Sequence, residues 1–375
     1  MNTQRSHLVA SNAAPLEKQS WLAWGSILAT LAIGVLFALN ARMTIGSPRV
    51  ANPDVVGSPR PVEFLLGWTD QWLAIHQYGT IVVMLVIIAA CVRAWLREPG
   101  HPYVLMTIAT TAIVWQDPLM NWAPYAAYNP RLWHLPEDWF LAEMSPIVEP
   151  FVVIDYALFY FGPFFPAIAL LKRLQARASL DAFVWRHPLL SLAALTLVIG
   201  FVFDACLEIS LVRTGLYIYT QVIPWGSLFA GTTFQFPLIW ESALVCVVMV
   251  PAAVLCYRDD TGRTQAEKLV QRFRFLPSNP ALGTFLMMFA VVNVAYFVYG
   301  GAFALIRISG EATAVACPWP FPESKVYDPQ GYFEREGEPG PYLEGYWSTW
   351  ATGQAEGRPK INPVKLDGMC KRPQP

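Results

Sequence analysis

Charge is what this sequence has least of. Only 14% of its 375 residues are Asp, Glu, Lys or Arg, against about 25% in a typical soluble domain. The net charge is −1, so the basic surface that nucleic-acid binding needs is missing. Histidine is scarce too. The five are His7, His76, His101, His134 and His187, and no two stand at HxxxH or HxxH spacing. A membrane di-iron oxygenase needs many more, which excludes that class. The sequence has no P-loop, no GxGxxG ahead of a helix and no GxSxG, and no Cys/His nucleophile pattern stands out. Nothing signals a metal or a cofactor. What remains is acid–base chemistry by carboxylates, with Tyr and Asn as helpers.

Apolar residues are there in abundance. The chain is 55% hydrophobic with 15 Trp, and its mean hydropathy is +0.37. These values predict an all-α fold, a polytopic transmembrane helix bundle with aromatic belts at the bilayer interfaces. The expected location is a bacterial-type plasma membrane, crossed many times. Seven runs are long enough to cross about 30 Å of hydrocarbon. They lie near 21–39, 71–95, 104–122, 149–172, 187–212, 236–257 and 283–307. Residues 1–20 are polar, and the run after them is too long for an ordinary signal h-region. The second half of the third run, VWQDPLMNW, is polar and holds Pro118, which ends or kinks a helix. Basic residues gather in alternate links: Arg93 and Arg97; Lys172, Arg173, Arg177 and Arg186; Arg258, Arg263, Lys268, Arg272 and Arg274. The positive-inside rule then predicts N-in, C-out.

Against this background the acids stand out. Asp204 and Glu208 lie in the apolar stretch TLVIGFVFDACLEISLVRTG, four residues apart and so on one helix face. In the expected topology Asp117, Asp155, Asp204, Glu208 and Glu241 all fall in the outer half of their spans. Their depths agree to within roughly 10 Å at 1.5 Å per residue. Ionisable groups inside a membrane are rare and face the bundle interior or a cavity. The reading is therefore a polar cavity in the outer leaflet half. Its expected catalytic groups are Asp204 and Glu208 as a proton-sharing pair, with Asp117 and Glu241 as partner acids. Asn121, Tyr125, Tyr128, Asn129, Glu149, Asp155, Tyr217, Tyr219, Thr233 and Gln235 are expected to bind substrate. The link before the sixth run, GLYIYTQVIPWGSLFAGTTFQFPLIWE, is too apolar for a free loop and is expected to cap the cavity. The Pro/Gly-rich tail, 309–375, is expected to be irregular and extracytoplasmic, where a disulfide between Cys317 and Cys370 is permitted.

Several motifs in matching order carry a resemblance. WQDPLMNW, PYAAYNP, the EP at 149–150, FDACLE, GLYIY and LFAGTTFQFPLIWE resemble the AveC family of membrane proteins, the avermectin spirocyclase-like group. The likeness covers roughly residues 60–262. It implies a membrane-bound, cofactor-free enzyme that turns a dihydroxy-ketone into a spiroketal and can also dehydrate. The partners expected are the lipid bilayer and a lipophilic small molecule. The residues themselves leave two alternatives open. One is a non-catalytic binder or transporter of a lipid-like molecule; the other is a scaffold acting through its outer tail.

Overall fold

The computed structural model describes residues 62–321 apart from 122, 124, 125, 137–140, 143, 144, 146 and 273–279, together with Ala32. Helix α1 is Asp70–Arg97. Helix α2 (Pro102–Ala112) runs through a 3-10 turn, Ile113–Gln116, into α3 (Asp117–Met120). The next pass is a 3-10 turn, Phe151–Asp155, followed by α4 (Tyr156–Phe161) and α5 (Phe164–Arg177). Short α6 (Phe183–Arg186) leads to α7 (Pro188–Arg213). Helices α8 (Leu238–Leu244) and α9 (Cys246–Cys256) descend to α10 (Gln265–Val270). Helix α11 is Pro280–Ile308.

Five segments are long and apolar enough to cross a membrane: Asp70–Arg97, Phe151–Arg177, Pro188–Arg213, Leu238–Cys256 and Pro280–Ile306. They match five of the predicted runs to within a few residues. The run near 21–39 and the segment 1–20 lie outside the described residues. The run near 104–122 is not among the five. Its helix ends at Ala112, tightens to 3-10 geometry, and restarts at Asp117 with Pro118 in the new first turn. Proline lacks the N–H an interior turn would use, so the restart falls where proline is tolerated.

Contacts between links define two ends. At one, Arg258 pairs with Glu98 at 2.6 Å, and Thr264 and Glu267 close a capping box on α10. At the other, Arg131 pairs with Asp70 at 2.6 Å, and Asn129 Nδ2 donates to Gly215 O at 3.0 Å.

The second end is a small folded cap, which corrects the all-α expectation. Strand β1 (Ala126–Tyr128) pairs antiparallel with β2 (Tyr217–Tyr219). Strand β3 (Gln221–Val222) pairs with β4 (Ala314–Val315). The start of the tail is therefore ordered: residues 309–321 fold back, and Trp319 and Phe321 are buried with Ile218, Phe236 and Val315. Backbone groups shut away from water need partners, and strand pairing supplies them. The tail from 322 lies outside the described residues.

Small residues set the spacing below the cap. Ala109, Ala167, Ala252 and Ala253 are fully buried. At Gly200 on α7 an added Cβ would stand 2.8 Å from Met249 Sδ of α9. In lipid, such close approach replaces the hydrophobic drive that water gives soluble bundles.

Gly215 ends α7 and aims β2. Its φ is +74°, and a Cβ there would meet the Phe64 ring at 2.6 Å. An L-residue in this conformation costs roughly 1–2 kcal/mol before any clash. Gly215→Ala should therefore lower the thermal midpoint in detergent. An unchanged midpoint would show that the turn bears no strain.

Candidate active site

Helix α7 buries one stripe: Leu192, Thr196, Gly200, Asp204, Glu208 and Val212. Each step of four turns about 40° at 3.6 residues per turn, so neighbours such as Asp204 and Glu208 share a face while the stripe winds slowly round the helix. The opposite side, with Leu197, Val198 and Val202, is exposed, as a lipid-facing surface is. Both sides are apolar apart from this stripe's few polar groups, so those groups mark the inward face.

The stripe meets a cavity of ≈ 200 Å³. Its roof follows from strand periodicity. In β1–β2, Tyr128 lies opposite Tyr217 and Ala126 opposite Tyr219. Alternation therefore puts Tyr128, Tyr217 and Tyr219 on one face and Ala127 and Ile218 on the other. All three tyrosines line the cavity, while Ala127 and Ile218 are fully buried in the cap. The rings pack edge to face, Tyr128 to Tyr217 at 5.4 Å and Tyr217 to Tyr219 at 5.5 Å. Burial pushes the Tyr128 and Tyr219 phenols well above their usual range, so both stay neutral donors. The Tyr217 hydroxyl has no hydrogen-bond partner and is free to meet a ligand.

Two carboxylate centres share the cavity. The first is Asp117, at the restart of the broken helix. Asn121 Nδ2 donates to its Oδ2 at 3.1 Å and also to Glu149 Oε2 at 3.4 Å. Tyr156 and Tyr296 both donate to Asp117 Oδ1, and their hydroxyls are 3.0 Å apart. Burial, and then the neighbouring Asp117, push the Glu149 carboxyl well above its usual range. Burial also raises the Asp117 carboxyl, and Asn121 bridges the two acids.

The second centre joins Asp204 and Glu208 of α7 to Glu241 of α8. One oxygen from each lies within 4.8 Å of the others. Tyr219 donates to Glu208 Oε2 at 2.9 Å, and Tyr299 donates to Glu241 Oε1. Both Asp204 oxygens and Glu241 Oε2 have no hydrogen-bond partner. Glu208 and Glu241 line the cavity, and Asp204 stands behind them.

Other predicted residues have different work. Asp155 lines the cavity near Thr80. Asn129 is spent on Gly215 O and on the Arg131 N–H. Gln235 donates to Tyr219 O, Thr220 O and Ala314 O, tying both sheets together. Thr233 donates to Pro318 O. These three pin the cap's backbone and are not among the cavity's lining residues. Tyr125 and Cys370 lie outside the described residues; Cys317 is disulfide-bonded.

Sequence reasoning missed Tyr156, Tyr296 and Tyr299. Tyr296 and Tyr299 stand three apart on α11 and so share a face. Asn293 stands three residues before Tyr296, so the 293, 296, 299 spacing of polar groups in an apolar run was a usable signal. Tyrosines toward a span end instead read as an interfacial belt.

A helical bundle with five membrane-length spans and a carboxylate- and tyrosine-lined cavity defines the class, an integral membrane protein with a built polar site. Residues 95–327 match the family described as Spirocyclase AveC-like. The chain belongs to that family, and the matched region contains both carboxylate centres and the tyrosine roof. No curated protein and no solved structure matches the chain.

Proposed function

We propose that this protein is a membrane-embedded cyclase that closes a lipophilic dihydroxy-ketone into a spiroketal, with loss of one water. The observation that carries the reading is that two carboxylate centres on different helices line one tyrosine-roofed cavity. In this reading Asp117 accepts the proton of the attacking hydroxyl as that oxygen bonds to the ketone carbon, giving a hemiketal. Asp117 is held for this by Tyr156, Tyr296 and Asn121. Glu208 and Glu241, backed by Asp204, form the electrophilic end that polarises the ketone oxygen and gives it a proton, which makes it the hemiketal hydroxyl. The hemiketal hydroxyl then takes a proton and leaves as water. The second hydroxyl adds to the oxocarbenium carbon and gives up its proton, so the proton account closes. Where the second hydroxyl is absent, loss of a neighbouring C–H proton instead gives a dehydrated product. Positioned acid–base groups of this kind contribute roughly 10²–10⁴-fold.

The basic links support an N-in, C-out orientation, which puts the cap and cavity on the extracytoplasmic side of a bacterial-type plasma membrane. Comparing metabolites of a deletion strain and its parent tests the reading. The deletion strain should accumulate a hydroxy-ketone heavier by one water than the parent's product. The same compound on both sides, merely redistributed across the membrane, would favour a transporter instead.

A further inference from the structure

The two carboxylate centres differ in kind. At Asp117 both oxygens are taken, by Tyr156, Tyr296 and Asn121. At the second centre the pattern is reversed. Tyr219 and Tyr299 hold one oxygen each of Glu208 and Glu241, while both Asp204 oxygens and Glu241 Oε2 accept nothing. Ser242 Oγ is fully buried beside Asp204. None of the ion pairs among the described residues involves these three acids.

We propose that Asp204, Glu208 and Glu241 bind a hard divalent cation whose open side faces the cavity. Three observations converge on it. The first is spacing. Ligand oxygens no more than 4.8 Å apart fit around an ion with oxygens at about 2.0–2.6 Å, since opposite ligands stand two such radii apart. The second is donor chemistry. An all-oxygen set of carboxylates selects Mg²⁺, Mn²⁺ or Ca²⁺ over softer metals. The third is the surroundings. Metal-binding carboxylates are themselves held by hydrogen bonds from a second layer, and Tyr219 and Tyr299 supply it here. The orphaned oxygens are the ones the tyrosines leave over. Glu208 and Glu241 line the cavity with Asp204 behind, so further coordination positions point at the cavity. A cation there would polarise a substrate oxygen as a Lewis acid. The site stands independently of the cyclase reading; that use of it rests on the reading. It also departs from the cofactor-free enzyme that the family resemblance implies.

Terbium luminescence tests the site directly. The full-length protein in nanodiscs is stripped with chelator and titrated with Tb³⁺, exciting the tyrosines. Sensitised emission should saturate at one ion per chain, and Mn²⁺ or Ca²⁺ should displace it. Asp204→Asn and Glu241→Gln should each weaken binding by roughly tenfold or more, while Asp117→Asn should bind as wild type. Circular dichroism of the variants separates lost ligands from lost fold. Emission that never saturates in the wild type, or saturates equally in a folded Asp204→Asn variant, would overturn the proposal. The two readings fail separately. Product formed in chelator without ion binding leaves the cyclase standing and removes the cation. Ion binding with no product from any hydroxy-ketone does the reverse.

Discussion

Asp117→Asn should lower turnover of a hydroxy-ketone by roughly 10²–10⁴-fold, the range for a positioned general base, with little change in fold. The substitution keeps the shape, and Oδ1 of the new side chain still accepts from Tyr156 and Tyr296. What it loses is the ability to take a proton, together with the bond that Oδ2 accepts from Asn121. Tyr156→Phe separates positioning from chemistry. The phenol holds Asp117, so its loss should reduce kcat more than KM. It should leave some activity, whereas Asp117→Asn leaves almost none. A Tyr156→Phe loss as large as that of Asp117→Asn would move the phenol into the reaction itself.

The second large effect has opposite signs in stability and activity. In chelator-treated protein, Asp204→Asn should raise the thermal midpoint while abolishing turnover. Both Asp204 oxygens are buried without a hydrogen-bond partner, an arrangement that costs about 1–3 kcal/mol and more for a charged group. It also stands within 4.8 Å of two like groups. An amide removes the potential charge and brings two N–H donors to a place where Glu241 Oε2 lacks a partner. For a domain of 150–250 residues, each kcal/mol shifts the midpoint by about 2–4 °C. Differential scanning fluorimetry in chelator reads the first half of the prediction. A lower midpoint would mean that Asp204 has a stabilising partner in solution.

The spans were legible because a run of about 20 apolar residues has few other readings. The break before Asp117 was legible in part, since Pro118 and the polar QDP announced it. The inward face of α7 could be read only from Asp204 and Glu208. Its lipid side is as apolar as its buried side, so hydropathy gives no phase. The cap was harder. The tyrosines of GLYIY alternate over only three residues, and the strand in PYAAY holds a single tyrosine, Tyr128, too little to separate strand from aromatic belt. Strand β3 finds its partner almost a hundred residues later in the tail, and nothing local marks Ala314 and Val315 for that pairing. Amides and hydroxyls misled for a related reason. Asn129, Thr233 and Gln235 looked like ligand groups because they sit among acids and aromatics. Short, irregular strands leave backbone carbonyls that need donors, and these side chains provide them.

The most direct measurement is product formation by purified protein in nanodiscs supplied with a lipophilic dihydroxy-ketone, followed by mass and chromatography. The wild type should yield the spiroketal, lighter by one water, and folded Asp117→Asn should return the substrate almost unchanged. Equal conversion by the two proteins would contradict the account.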